Sequence, residues 1–199
     1  TGLMLLSILL MVNVLVLLAS SFQRLRLYED AYGCTYLRTH THIFILWLAG
    51  LILAAIALEI FRRRGHFALV LLVCVVGFGI SVAVINQSGF IVDRNVARAQ
   101  MGYELDVAHL NTLSDDAIPA LIRNFNDPTS GNGVKDGLGA ALACRQKLLE
   151  EDRVYDWREF NLSRARAARL LEQNAANWSD FQPEQDDARF WTIQVDGET

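Results

Sequence analysis

The sequence predicts an all-α integral membrane protein: three transmembrane helices with an interfacial amphipathic helix, followed by a small helical soluble tail. Three observations predict it. First, three runs without Asp, Glu, Lys or Arg occupy most of the first 85 residues: Leu3–Ser21, Ile43–Leu58 and Phe67–Ile85. With 16 to 19 residues each, at 1.5 Å of rise per residue, they come close to crossing a hydrocarbon core of roughly 30 Å. Second, the charge is divided. Residues 1–85 carry six basic and three acidic side chains, a charge of +3, and residues 86–199 carry twelve basic and nineteen acidic, a charge of −7. A basic membrane part and an acidic tail belong in different surroundings. Third, apolar residues after Asn86 recur at helical spacing, and no strand alternation of useful length appears.

The first span is expected over about 3–21. Ala19, Ser20 and Ser21 resemble a secretory cleavage site, but no Lys or Arg precedes the run and two further runs follow, so it reads as a membrane helix. Its one strongly polar interruption, Asn13, is the kind of residue that bonds a neighbouring helix. The linker 22–42 comes next. Phe22, Leu25, Tyr28 and Tyr32 fall at helical spacing and Gly33 is a stop signal. Arg24, Arg26 and Arg38 can reach headgroups, and Tyr28 and Tyr32 suit the water–lipid boundary. These five are the candidate interfacial or lipid-headgroup contacts, on an amphipathic helix that can run on from the first span.

The second span is expected over about 43–60 and the third over about 67–85. Gly50-x-x-x-Ala54 and Gly77-x-x-x-Ser81 are small-residue pairs that let helices approach. The basic turn Phe61-Arg62-Arg63-Arg64-Gly65-His66 forces a hairpin between them and favours the cytoplasmic side. The tail would then lie outside.

In the tail, 86–199, Met101–Leu113 is expected to form a short helix. Ser114, Asp115 and Asp116 cap another, whose stripe is Ile118, Leu121, Ile122 and Phe125, with Pro119 in its first turn. Asp127–Gly133 is a loop by composition. Leu138, Ala141, Leu142, Leu148 and Leu149 mark a further helix, and Trp157, Phe160, Ala168 and Leu171 one that can pair with it. The stretch around Trp178, Phe181, Phe190 and Trp191 has no clear period.

Tests for chemistry return little. His40-x-His42 could supply two metal ligands, but no cysteine stands at ligand spacing and a zinc site needs more donors; no metal and no cofactor is expected. Glu29-Asp30 beside Arg24 and Arg26 reads as an ion-paired surface rather than a catalytic pair. No Gly-x-Ser-x-Gly nucleophile motif is present, and Gly131-Asn132-Gly133 lacks the Gly-Lys-Ser/Thr of a phosphate loop. Cys34, Cys74 and Cys144 form no disulfide pattern. No catalytic residue is singled out. An acidic tail excludes a phosphate-neutralising face, so no nucleic acid is expected as a partner.

Three motifs occur in a suggestive order. Arg24-Leu25-Arg26-Leu27-Tyr28-Glu29-Asp30-Ala31-Tyr32-Gly33 with Thr35 and Leu37-Arg38 is followed by Asn86-Gln87-Ser88-Gly89-Phe90-Ile91-Val92-Asp93-Arg94-Asn95. Leu105-Asp106-Val107-Ala108-His109-Leu110 then precedes Leu113 to Leu121. Together these resemble a family of bacterial multi-spanning membrane proteins known as domain of unknown function 4173, related to the 4153 group. Gln87 departs from that pattern, where Pro is expected. The resemblance covers about residues 20–171. It implies a C-terminal part of a longer protein, with upstream transmembrane helices as partners, in a bacterial inner membrane. It implies no activity.

The expectation is an uncharacterised, non-catalytic membrane or complex component, embedded in the lipid bilayer, whose helical tail contacts a protein partner. The alternative is a transporter or membrane enzyme whose polar site lies in upstream helices.

Overall fold

A computed structural model describes residues 2–151, 161–185 and 191–194. The chain divides into two compact units, Thr1–Gln87 and Ser88–Thr199.

The first unit is three long helices: α1 (Gly2–Tyr32), α2 (Tyr36–Ile60) and α3 (Phe67–Val84). Each is apolar and long enough to cross a membrane. α2 packs against both α1 and α3. The outward apolar side chains are not covered: Leu3 is 82% exposed, Leu17 65% and Leu72 62%. Surface of that kind on all three helices calls for lipid rather than water.

The linker expected at 22–42 is divided between two helices. Phe22–Tyr32 continues α1, and Tyr36–His42 opens α2. Only Gly33, Cys34 and Thr35 separate them. Gly33 takes φ +82°, a left-handed conformation that favours glycine, and its N–H donates to Glu29 O at 2.8 Å. With 31 residues, α1 is about 46 Å long at 1.5 Å per residue. It therefore outruns the hydrocarbon core, and the α1–α2 tip stands beyond the apolar run.

At the other end of α2 the turn is shorter than a helix but well satisfied. Arg63 N–H donates to Leu58 O and Arg62 N–H to Glu59 O, with Arg62 at φ +55°. Those are the two hydrogen bonds of a Schellman cap, with arginine where glycine is usual. A 3-10 turn, Arg64–His66, leads into α3.

The second unit holds α4 (Gln87–Gln100), α5 (Val107–Thr112), α6 (Ile118–Phe125), α7 (Asn132–Glu151) and α8 (Leu162–Asn174). α7 is packed against α5, α6 and α8. The core is Ile91, Val92, Val96, Leu110, Leu113, Ile118, Leu121, Leu138, Leu142 and Leu171, with Trp178 closing one end. Trp178 meets the Phe125 ring edge-on at 6.2 Å and donates from Nε1 to Gln146 Oε1 at 2.7 Å.

Local differences from the sequence reading have physical reasons. The helix expected over Met101–Leu113 is confined to Val107–Thr112, because Gly102 takes φ +94° and Asp106 caps the later start through the His109 N–H. Ser114 does not cap α6 with its side chain; its hydroxyl pairs with Ser88 at 2.6 Å. α7 begins inside the expected loop, at Asn132. Leu148, expected on its apolar face, is 38% exposed. Trp157 and Phe160 lie outside the described residues, while Ala168 and Leu171 fall on α8. A short antiparallel ribbon, β1 (Gln182–Gln185) with β2 (Trp191–Gln194), adds two strands too short for a pattern to reveal.

Candidate functional site

The most polar interior position in the first unit is the α1–α2 tip. Three side chains are buried there: Glu29 at 7% exposure, Cys34 at 3% and Thr39 at 5%. Glu29 is in the last turn of α1, Cys34 in the turn and Thr39 in the first turn of α2. The Cys34 thiol donates to Glu29 Oε1 at 3.2 Å and lies 3.4 Å from Thr39 Oγ1. Thr39 donates to Thr35 O at 3.1 Å. One turn further along α2, His42 Nδ1 stands 3.6 Å from Glu29 Oε1, and its ring meets Phe22 edge-on at 4.9 Å. A buried carboxylate is thus faced by a thiol and an imidazole, the arrangement that lets a buried acid persist.

The helix register explains why Glu29 points inward. Phe22, Leu25 and Glu29 follow at i, i+3 and i+7, on one face of α1. The stripe that the sequence predicts runs through Tyr28 and Tyr32 instead. Both are exposed, at 57% and 70%, and stack on each other at 6.1 Å. A hydropathy pattern passes over a glutamate, so the inward row was readable only once Glu29 was allowed onto it. Glu29, which the sequence places on an ion-paired surface, is an interior group; its neighbour Asp30 is exposed.

The five candidate headgroup contacts are not alike. Arg24, Arg26, Tyr28 and Tyr32 are exposed on the last turns of α1. Arg38 is half-buried: its Nη1 donates to Gly33 O, closing the C-terminus of α1, and its guanidinium lies 6.0 Å from the Tyr32 ring centroid. It braces the turn.

The Cys34 thiol donates to the Glu29 carboxylate, whose Oε1 also faces the His42 imidazole. His40 does not join His42; its Nδ1 is 2.7 Å from Tyr36 O. Among the described residues, no three metal-ligating side chains converge. All three cysteines are free thiols.

The second unit carries an open cleft of about 640 Å³ between the α4–α5 connection and the start of α7, lined by Gln100, Tyr103, Leu105, Thr129, Gly133 and Gly137 among others. Asp127 holds its rim: its Oδ1 accepts from the Thr129 hydroxyl at 2.7 Å and from the Thr129 N–H at 2.8 Å. Those bonds keep its carboxyl below the ordinary range. Nearby, Arg98 lies 4.4 Å over the Tyr103 ring. Asp93 ties α4 to α6 by accepting from Arg123 and from Asn124 Nδ2 at 2.7 Å. α7 is pinned by buried Arg145, which donates to Leu113 O and pairs with Asp115 at 3.7 Å.

A family model described as Domain of unknown function (DUF4153) matches residues 1–124. The match spans the α1–α2 tip, all three long helices and the second unit through Asn124. No curated protein and no solved structure matches the chain.

Proposed function

The chain belongs to that DUF4153 family, and from its own residues we propose a non-catalytic, multi-pass component of a bacterial inner membrane whose helical C-terminal unit contacts a protein partner. The single observation that carries it is the uncovered apolar surface on three helices, each long enough to span a bilayer. The sharper resemblance to the 4173 group, the upstream helices and the outward tail are parts of this proposal. Arg24, Arg26, Tyr28 and Tyr32 are its interfacial contacts, and Arg38 holds the turn between them and α2.

Partner contact is supported by the cleft beside Tyr103, which is 50% exposed, and by Met101, 77% exposed. Trp178 contributes nothing to such a contact surface, because it lies in the core. The test is cross-linking in native membranes from a photoreactive residue placed at Tyr103. A single discrete adduct is expected; a trace indistinguishable from one with the same residue at exposed Arg169 would count against partner contact.

One observation favours a second reading, a transporter or membrane enzyme: Glu29, buried beside His42 at the tip just beyond the apolar run, is an enclosed ionisable pair of the kind found at functional sites. Uptake or flux that disappears in Glu29→Gln while the protein still inserts would select that reading.

A further inference from the structure

We infer that Arg62 and Arg63, at the α2–α3 turn, seat the phosphate of an anionic lipid headgroup. The inference rests on the membrane reading of α2 and α3 and goes beyond it to a particular site and ligand.

The turn joins two helices each long and apolar enough to span, and on the membrane reading that puts it at headgroup depth. It carries three consecutive arginines with unequal duties. Arg64 is committed to the protein: its Nε donates to Glu59 Oε2 at 2.7 Å and its Nη2 to Glu59 Oε1. That pair neutralises the acidic residue at the end of α2. Arg62 and Arg63 are left exposed, with positive charge and no acid next to them in the turn. Phe61, 74% exposed, and Phe67, 44% exposed, flank the turn and suit the boundary between headgroup and acyl chain.

The backbone supplies an independent sign. Arg62 holds φ +55° at the residue of a Schellman cap where glycine costs nothing. A strained conformation kept by a non-glycine residue points to use of its side chain. Charge would be that use, because a guanidinium fork fits a phosphate oxygen pair. The two guanidinium groups stand on consecutive residues of one cap and offer positive charge to a phosphodiester. Gly65, two residues after Arg63, leaves open space where a Cβ would stand.

A juxtamembrane basic side chain favours anionic over zwitterionic lipid by roughly fivefold. The full chain, reconstituted in nanodiscs of equal parts phosphatidylcholine and phosphatidylglycerol, is examined by native mass spectrometry for retained lipid. The wild type is expected to enrich phosphatidylglycerol by about fivefold or more. R62Q/R63Q should bring the ratio near parity, and R24Q/R26Q, at the opposite end of the helices, should leave most of the enrichment. Arg62→Gly separates the site from the fold: it relieves the left-handed strain, so thermal stability holds or rises while enrichment falls. Unchanged enrichment in both R62Q/R63Q and Arg62→Gly would overturn the inference, as would its loss in R24Q/R26Q alone. Displacement of the lipid by inorganic phosphate would also overturn it, by assigning the site to a free anion. A chain that fails to enter nanodiscs at all would instead refute the membrane reading, a distinguishable result.

Discussion

Glu29 and Cys144 are buried side chains whose surroundings make definite demands. Glu29 keeps its carboxylate inside the α1–α2 tip by accepting from Cys34 and facing His42. Glu29→Ala removes the acceptor, leaving the Cys34 thiol and the imidazole to find other partners, at a cost of about 1–3 kcal/mol. Melting of the detergent-solubilised chain should fall accordingly, and Cys34→Ser, which keeps a donor in place, should cost less. Equal melting of wild type and Glu29→Ala would show that the buried carboxylate contributes nothing to the hairpin. Cys144 is enclosed in the second unit, fully buried. Burial pushes its thiol above the ordinary value, with a hydrogen bond from Asn111 and the charge of Lys147 pulling the other way. The folded state therefore holds the proton more tightly than the unfolded one, and the sign follows: this contribution is intact below the unfolded thiol pKa of about 8.5 and is lost as pH rises past it. Stability measured from pH 7 to 10 should decline more in the wild type than in Cys144→Ala; parallel curves would contradict it.

Among the elements, the α2–α3 contact shows how a weak sequence signal acquires a meaning. Gly77-x-x-x-Ser81 predicted close packing without a partner. The structure lays the Trp47 ring on Gly77 and donates its Nε1 to Ser81 Oγ at 3.1 Å, while Ser81 donates to Gly77 O at 2.8 Å. A Cβ at Gly77 would overlap that ring, so Gly77→Ala must displace Trp47, for about 1–3 kcal/mol. Gly50, in the matching pattern of α2, faces open space, and Gly50→Ala should be nearly neutral. Unfolding in denaturing detergent should separate the two variants; a loss at Gly50 as large as at Gly77 would refute the assignment. The long helices were legible because an apolar run is a physical requirement of the bilayer core and survives any tertiary detail. The α1–α2 tip was not. It depends on which face of α1 meets α2, and there the carboxylate replaces an apolar residue in the row Phe22–Leu25–Glu29. In the second unit, Ile118 and Leu121 were readable from their spacing. The Ser88–Ser114 and Arg145–Leu113 bonds join residues 26 and 32 positions apart, which no local pattern encodes.

At the scale of the molecule, the span count and the arginines fix an expectation about sides. If all three helices cross, the α1–α2 tip and the chain after α3 are expected on one side and the α2–α3 turn on the other. Arg64 is paired with Glu59, yet Arg62 and Arg63 remain in a compact turn; Arg24, Arg26 and Arg38 share their end with Glu29 and Asp30. Unneutralised arginines in a short turn are retained on the cytoplasmic face. The natural Cys144 cannot report this, because it is buried in the folded unit and would resist an impermeant thiol reagent from either side. Reporter cysteines belong at exposed positions in a Cys144→Ala chain: His66→Cys in the turn and Ala176→Cys after α8. On intact spheroplasts, Ala176→Cys should label and His66→Cys should label only after lysis. The reverse pattern would invert the orientation while keeping three spans. Labelling of both without lysis would mean that α3, the helix that separates the two positions, does not cross, and its exposed Leu69 and Leu72 would then need a cover other than lipid.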